Sequence, residues 1–346
     1  MKKKTLYASL LIIFVLVWWQ YELVSYGLMQ AQGQFKILFT AKPISEVLAD
    51  KNFPDSLKAK LLLIQEIKKF AIDSLGIRPS GSYEEFYDQQ GKPILWTLTA
   101  CEPFRLVAKE WSFPFIGSFS YKGFFDYQKL EKEEQELKQQ GFDTEIDEVS
   151  AWSTLGYLND PVLSSMLRRG TGSLANLIIH ELTHGTLFIK DDLTYNENLA
   201  NFVGNEGAIR FLKYKHGENS IELNKYLAAR SDRQILNDFL LKSAKRLDSL
   251  YKTYDSVAVG EPDGEFAKKK SQKDLFIKNM ISSLDTVRFQ GDNYSDYFKD
   301  YTPNNAFFIG FLTYNEKQNM FEQEFKHKFG NDFKSYMTYL KDKYER

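Results

Sequence analysis

Apolar residues change their period along the chain, and each change predicts an element. Residues 23–78 read helical. Ile44 to Asp50 makes a short helix, and Pro54-Asp55-Ser56 opens a longer one through Leu61, Leu62, Ile64, Ile67, Phe70, Ile72 and Leu75, stopped by Gly76 and Pro79. The next stretch alternates instead: Ile94 to Thr99, Phe104 to Ala108 and Trp111 to Phe119 are aromatic and β-branched, broken by Pro103, Pro114 and Gly117, and read as strands. Asp126 to Gln140 is a charged helix with Asp126 as N-cap and Gly141 as its stop, after which Phe142 to Val149 and Trp152 to Leu158 return to extended structure. Leu174, Leu177, Ile178 and Leu182 then give a buried stripe to a helix within Leu174 to Lys190, and a second helix is expected to start near Asn196. Beyond residue 215 the pattern is helical and charged. Ile235, Phe239, Leu240, Leu247, Leu250, Tyr251 and Tyr254 predict an amphipathic helix over Asp232 to Asp255, Val257 to Asp263 a linker, and Gly264 to Val287 a further helix. The order predicts an α+β fold, with a small mixed or antiparallel sheet packed on the helix at 174–190 and a helical C-terminal subdomain.

That central helix carries His180-Glu181-Leu182-Thr183-His184, an HExxH pattern. Four residues apart on a helix, the two imidazoles project from one face a turn apart, the spacing needed to share a tetrahedral metal. His180 and His184 are therefore candidate zinc ligands, and Glu181 the base for the zinc-activated water. Loop residues Gly170-Thr171-Gly172-Ser173 supply N-cap candidates. HExxHxxGxxH requires glycine at 187 and histidine at 190, where this chain has Leu187 and Lys190, so the metzincin pattern is excluded. The better third ligand is Glu197, aimed back by the second helix, which completes a zincin-like site of two histidines and a glutamate. Thr194-x-x-Glu197 also reads as a capping box, and Asp191 and Asp192 are rival ligands. Ala200, Gly204, Gly207 and Ala208 let the second helix approach the first closely, and Asn201 is a candidate to orient a ligand. Trp152 to Tyr157, with Gly156, is the candidate edge strand to which an extended peptide would add.

Composition narrows the class. Net charge is −1, which removes support for nucleic-acid binding. Cys101 is the only cysteine, so stability rests on core burial, for which 43% hydrophobic residues suffice. Lys2-Lys3-Lys4 before the apolar run Leu6 to Trp19 predicts a signal-anchor over residues 1–22, uncleaved, leaving the catalytic part outside the cytoplasmic membrane. The remainder divides into a catalytic unit at 23–215 and a helical subdomain at 216–346. His216 and His327 read as solvent-exposed, while Tyr314, with Asn304 and Asn305, is a candidate donor to an oxyanion.

Several stretches together carry a resemblance: Tyr26 to Gln34, Pro43 to Asp50, Trp111 to Asp126, Ala151 to Leu167, the HELTH pentapeptide and Asn196 to Ala208, with a weaker return at Pro303-Asn304-Asn305-Ala306 and Tyr314. In these the chain resembles the bacterial predicted aminopeptidases, envelope-associated proteins of the HExxH gluzincin type. The resemblance implies zinc on His180, His184 and Glu197, with Glu181 as base, and peptide substrates. The GxMEN signature of the best-known gluzincin aminopeptidases is absent, and no sequence motif supplies the carboxylate an aminopeptidase needs for a free ammonium. A zinc endopeptidase is the alternative, and a non-catalytic envelope protein with a structural zinc site is a third reading.

Overall fold

The computed structural model describes residues 7, 20–113, 117–149, 154, 158–254, 263–291, 294–315 and 318–344. It combines many helices with small sheets. The N-terminal helices are α1 (Tyr21–Thr40), α2 (Ile44–Ala49) and α3 (Asp55–Leu75). The period read from the sequence holds in α3, which buries Leu61, Ile64, Ile67, Ala71 and Leu75 and ends at Gly76, a left-handed C-cap with φ 72°. Each large apolar side chain buried there contributes roughly 1.5–3 kcal/mol. That stripe, more than local propensity, holds the helix in place.

Among the described residues eight short strands occur, in chain order β1 (Lys42–Pro43), β2 (Glu85–Tyr87), β3 (Trp96–Cys101), β4 (Trp111–Phe113), β5 (Gly117–Phe119), β6 (Tyr121–Phe124), β7 (Asp143–Glu148) and β8 (Val162–Leu163). Strands β1, β2 and β8 form a mixed sheet, and β4 with β5 a hairpin. The sheet that matters for function is β6-β3-β7, antiparallel throughout. Its register sets Leu98 beside Lys122 and Ile146, Thr97 beside Gly123 and Asp147, and Thr99 beside Tyr121 and Glu145. Successive side chains point to opposite faces. Leu98, Ala100 and Phe124 therefore share one face and cluster with Leu130 and Leu137 of α4 (Tyr127–Gln139). Thr97, Thr99, Tyr121, Glu145 and Asp147 share the other, which is polar and lines a cleft. Helix α4 starts where expected, with the Asp126 side chain accepting from the amides of Gln128 and Lys129.

The expected strands need correction. The one expected over Ile94 to Thr99 begins at Trp96 and runs to Cys101, because Ile94 and Leu95 are buried in the main core next to the strand. Phe104 to Ala108 forms no strand. Phe104 and Leu106 pack against the C-terminal helices, and only Ala108 makes a bridge, to Cys101. In both cases burial explains the apolar residues. The proposed substrate strand Trp152 to Tyr157 lies outside the described residues except for Thr154, whose hydroxyl bonds the backbone of Leu158 and whose amide donates to Asp160.

The helices after the sheets are α5 (Thr171–Thr186), α6 (Leu193–His216), α7 (Ile221–Tyr251), α8 (Asp263–Leu284), α9 (Asn305–Asn315), α10 (Gln318–Phe329) and α11 (Phe333–Tyr344). Helix α7 begins before the expected Asp232, because the Ser220 hydroxyl caps it by accepting from the Leu223 amide. One core joins α3, α5 and α6 to Phe321 and Phe325 of α10 and Tyr336, Met337 and Leu340 of α11. A second joins Leu240, Leu247 and Tyr251 of α7 to Ile277 and Leu284 of α8 and Phe308 of α9. The β6-β3-β7 sheet rests on α4 and on α9, rather than on the HExxH helix, which faces it across the cleft. Asn304 donates to the Thr144 carbonyl and caps α9 through Oδ1, and the Asn305 amide donates to Asp143. The expected linker Val257 to Asp263 lies outside the described residues up to 262, as does the anchor segment 1–22 apart from Tyr7 and residues 20–22. Among the described residues no helix is long and apolar enough to cross a membrane.

Candidate metal centre

Helix α5 begins at Thr171 with Gly170 as its cap, and buries Leu174, Ala175, Ile178, Ile179 and Leu182. This leaves His180 and His184 on the face turned toward α6. Their Nε2 atoms stand 3.2 Å apart. Glu197, on the first turns of α6, places Oε2 at 3.4 Å from His180 Nε2 and 3.6 Å from His184 Nε2. Ligand atoms at about 2.0–2.1 Å from a tetrahedral zinc lie roughly 3.3–3.4 Å from one another. The three donors thus form one triangular face of such a tetrahedron, and among the described residues they are the group able to hold a metal ion.

The capping-box reading of Glu197 fails on where α6 starts. Asp192, not Thr194, is the N-cap, and its side chain accepts from the Tyr195 amide. Glu197 therefore falls past the capping position and its carboxylate turns to the histidines. Asp191 is occupied elsewhere, accepting from the Ser118 amide of the β4–β5 hairpin. Neither rival reaches the site. The small residues act as expected: a Cβ on Gly204 would lie 2.8 Å from the Asn176 carbonyl oxygen and 3.2 Å from His180 Cβ. Replacing Gly204 by alanine should push α6 off α5 at the level of His180. Overpacking of this kind costs about 1–3 kcal/mol. The variant is expected to melt several degrees lower, with the loss larger in zinc than in chelator because the Glu197–His180 spacing is disturbed too; equal melting in both would refute the coupling.

Charge distribution matches the donor set. Burial acts to raise the Glu197 carboxyl, but His184 and His180 outweigh it and hold it well below the usual carboxylate range. At His184 burial acts to lower the imidazole, and the Glu197 and Glu181 charges outweigh it, so the net shift is upward. His184 is 5% exposed, and its Nδ1 has no hydrogen-bond partner among the described residues.

The triad opens into a cavity of about 750 Å³ bounded by α5, α6, α9, the polar sheet face and Tyr26 and Gln30 of α1. Glu181 lines it and bonds no described residue, which leaves its carboxylate able to take a proton. Tyr314 lines it as well, and the Glu197 charge first, then burial, raise its hydroxyl pKa well above the ordinary value. The Asn201 amide donates to the Tyr314 carbonyl at 2.8 Å, so it holds the end of α9 against α6. Asn304 and Asn305 are not donors to the cleft. Asn305 donates to the Glu102 and Pro103 carbonyls and accepts from the Tyr251 hydroxyl, which uses its side chain fully. His216 and His327 are exposed, as read from the sequence.

Three cleft residues were missed by sequence reasoning: Tyr121, Glu145 and Asp147. Burial, followed by the Glu197 and Glu181 charges, raises the Tyr121 hydroxyl, which bonds no described residue. The available signal was alternation, since Asp143, Glu145 and Asp147 recur every second residue in a strand whose Thr144 and Ile146 pack inward. Compared with known families, residues 25–344 match the model described as "Putative aminopeptidase". The chain belongs to that aminopeptidase family. The match runs from α1 to α11 and includes both metal helices and the sheet, so the cleft is assembled wholly within the family's extent. A search of the curated proteins and one of the solved structures found no match.

Proposed function

We propose that this member of the aminopeptidase family is a zinc-dependent peptidase of the gluzincin type that hydrolyses peptide bonds from the amino end. One observation carries the reading: the His180, His184 and Glu197 donors converge at tetrahedral edge lengths in a cleft where Glu181 keeps a free carboxylate. Zinc on these residues supplies Lewis acidity toward a carbonyl oxygen and lowers the pKa of water toward about 7. Glu181 accepts the proton of the attacking water at its carboxylate and delivers it to the nitrogen of the leaving amine as the C–N bond breaks. The Tyr121 and Tyr314 hydroxyls line the same cleft and donate toward the carbonyl oxygen as it gains charge. A tyrosine hydroxyl is protonated at neutral pH, and the upward shifts at both leave it so. Asn201 fixes the backbone of Tyr314, and Phe307 and Phe311 give the cleft an apolar wall.

The apolar run Leu6 to Trp19 behind three lysines further supports an N-terminal anchor with the cleft outside the cytoplasm. Purification of the full chain tests both readings. Recovery with membranes and close to one equivalent of zinc per chain are expected, with hydrolysis of unmodified peptides abolished by a chelator and restored by zinc. A metal-free protein under zinc-replete conditions overturns the proposed chemistry.

A further inference from the structure

An enzyme that works from the amino end of a peptide must hold a free ammonium, and the structure offers groups suited to that. Strand β7 presents Glu145 and Asp147, two residues apart, on the sheet face that lines the metal cleft. They do not stand alone there: the same cavity contains the converging triad, with His184 buried and its Nε2 turned toward the other two donors, so a ligand site is already built at its floor. The charge balance is informative. Among the described residues, those lining the cavity include Glu145, Asp147, Glu148, Glu181 and Glu197, and no lysine or arginine. A divalent metal offsets the triad but leaves the β7 carboxylates without a counter-charge from the wall. Asp147 makes no hydrogen bond or ion pair with a described residue. At Glu145 burial first of all, with the Asp147 and Glu134 charges behind it, outweighs the opposing influence of Tyr301 and pushes the carboxyl up to about 7. Two carboxylates two residues apart on one face of a strand, both held above the ordinary carboxylate range first of all by burial, are stabilised by a ligand bearing positive charge. Asp147 also belongs to the set of charges acting on the Tyr314 hydroxyl, as do Glu197 and Glu181, which places it within electrostatic reach of the reacting groups.

We propose that Asp147 and Glu145 bind the α-ammonium of the substrate, making the cleft selective for peptides with a free amino terminus. The inference rests on the peptidase reading and gives it a direction. The ammonium donates its N–H bonds to the two carboxylates, and the chain of the substrate then runs across the polar sheet face past Thr97 and Thr99 toward the triad.

Equilibrium binding separates this from the reading beneath it. The full chain carrying Glu181→Gln, loaded with zinc, is titrated with trialanine and with N-acetyl-trialanine. The free amine is expected to bind roughly 10–100-fold more tightly, the worth of charge-assisted hydrogen bonds. Adding Asp147→Asn, at an exposed residue with no partner to lose, should remove most of that preference while zinc content and melting temperature stay unchanged. Asp147→Glu should restore part of it. Equal affinity for the two peptides, or a preference that survives Asp147→Asn combined with Glu145→Gln, overturns the assignment. The native chain is assayed beside them on the same two peptides. Hydrolysis of both at equal rates leaves a zinc peptidase without amine recognition. A binding preference without hydrolysis by the zinc-loaded native chain leaves the amine site standing and removes the peptidase.

Discussion

Glu181→Gln is expected to lose peptide hydrolysis by on the order of 1,000-fold while retaining zinc, because it removes a proton acceptor and leaves the metal donors in place. The side chain lies in the cavity without a partner among the described residues, so the amide should disturb neither α5 nor the His180–His184 spacing. Its loss should appear in kcat more than in KM, since a base that acts during proton transfer contributes little to ground-state binding. The measurement is steady-state kinetics on a free-amine peptide with zinc quantified in the same samples. A variant that keeps both zinc and activity would remove Glu181 from the reaction, and one that loses zinc would make it a ligand.

Glu197→Gln should weaken zinc binding by more than the roughly 10–100-fold typical of losing an outer partner of a ligand, because Glu197 supplies one of the three donor atoms directly. The effect also has a pH signature. Zinc competes with a proton for His184, whose pKa in the metal-free chain is raised, on balance, by Glu197. Zinc affinity of the native chain is therefore expected to decline as pH falls through this raised value. In Glu197→Gln the charge that raises it is gone and burial again acts to lower it, so the decline moves to lower pH. Titration of zinc affinity against pH in both proteins checks the sign. If the two profiles coincide, Glu197 is not coupled to the imidazole.

The metal spacing across α5 and α6 depends on features of very different legibility. HELTH is readable because the helical period alone puts His180 and His184 on one face, and the Leu174, Leu177, Ile178 and Leu182 stripe says which face is buried. Glu197 was legible as a candidate only. A capping box and a ligand share the same four letters, and the choice turns on whether α6 starts at Asp192 or Thr194, a shift of two residues that propensity does not resolve. The errors in the strand region have a related cause. Ile94, Leu95, Phe104 and Leu106 are apolar because they enter cores, and an apolar run by itself does not say whether its backbone pairs.

Taken alone, the sequence determined the helical stripes, the caps at Asp126 and Gly76, and the two imidazoles and the glutamate of HExxH, since each follows from residues within one or two turns. Tertiary structure decided everything that depends on contacts distant in the chain. The Glu197 carboxylate meets the histidines because Gly204 lets two helices nearly touch, and Asn201 serves the Tyr314 backbone because α9 ends beside α6. Tyr121, Glu145 and Asp147 face the same cavity only through the register of an antiparallel sheet. Local chemistry is written in local spacing, whereas a cleft is made by surfaces that meet only after the chain has closed its cores.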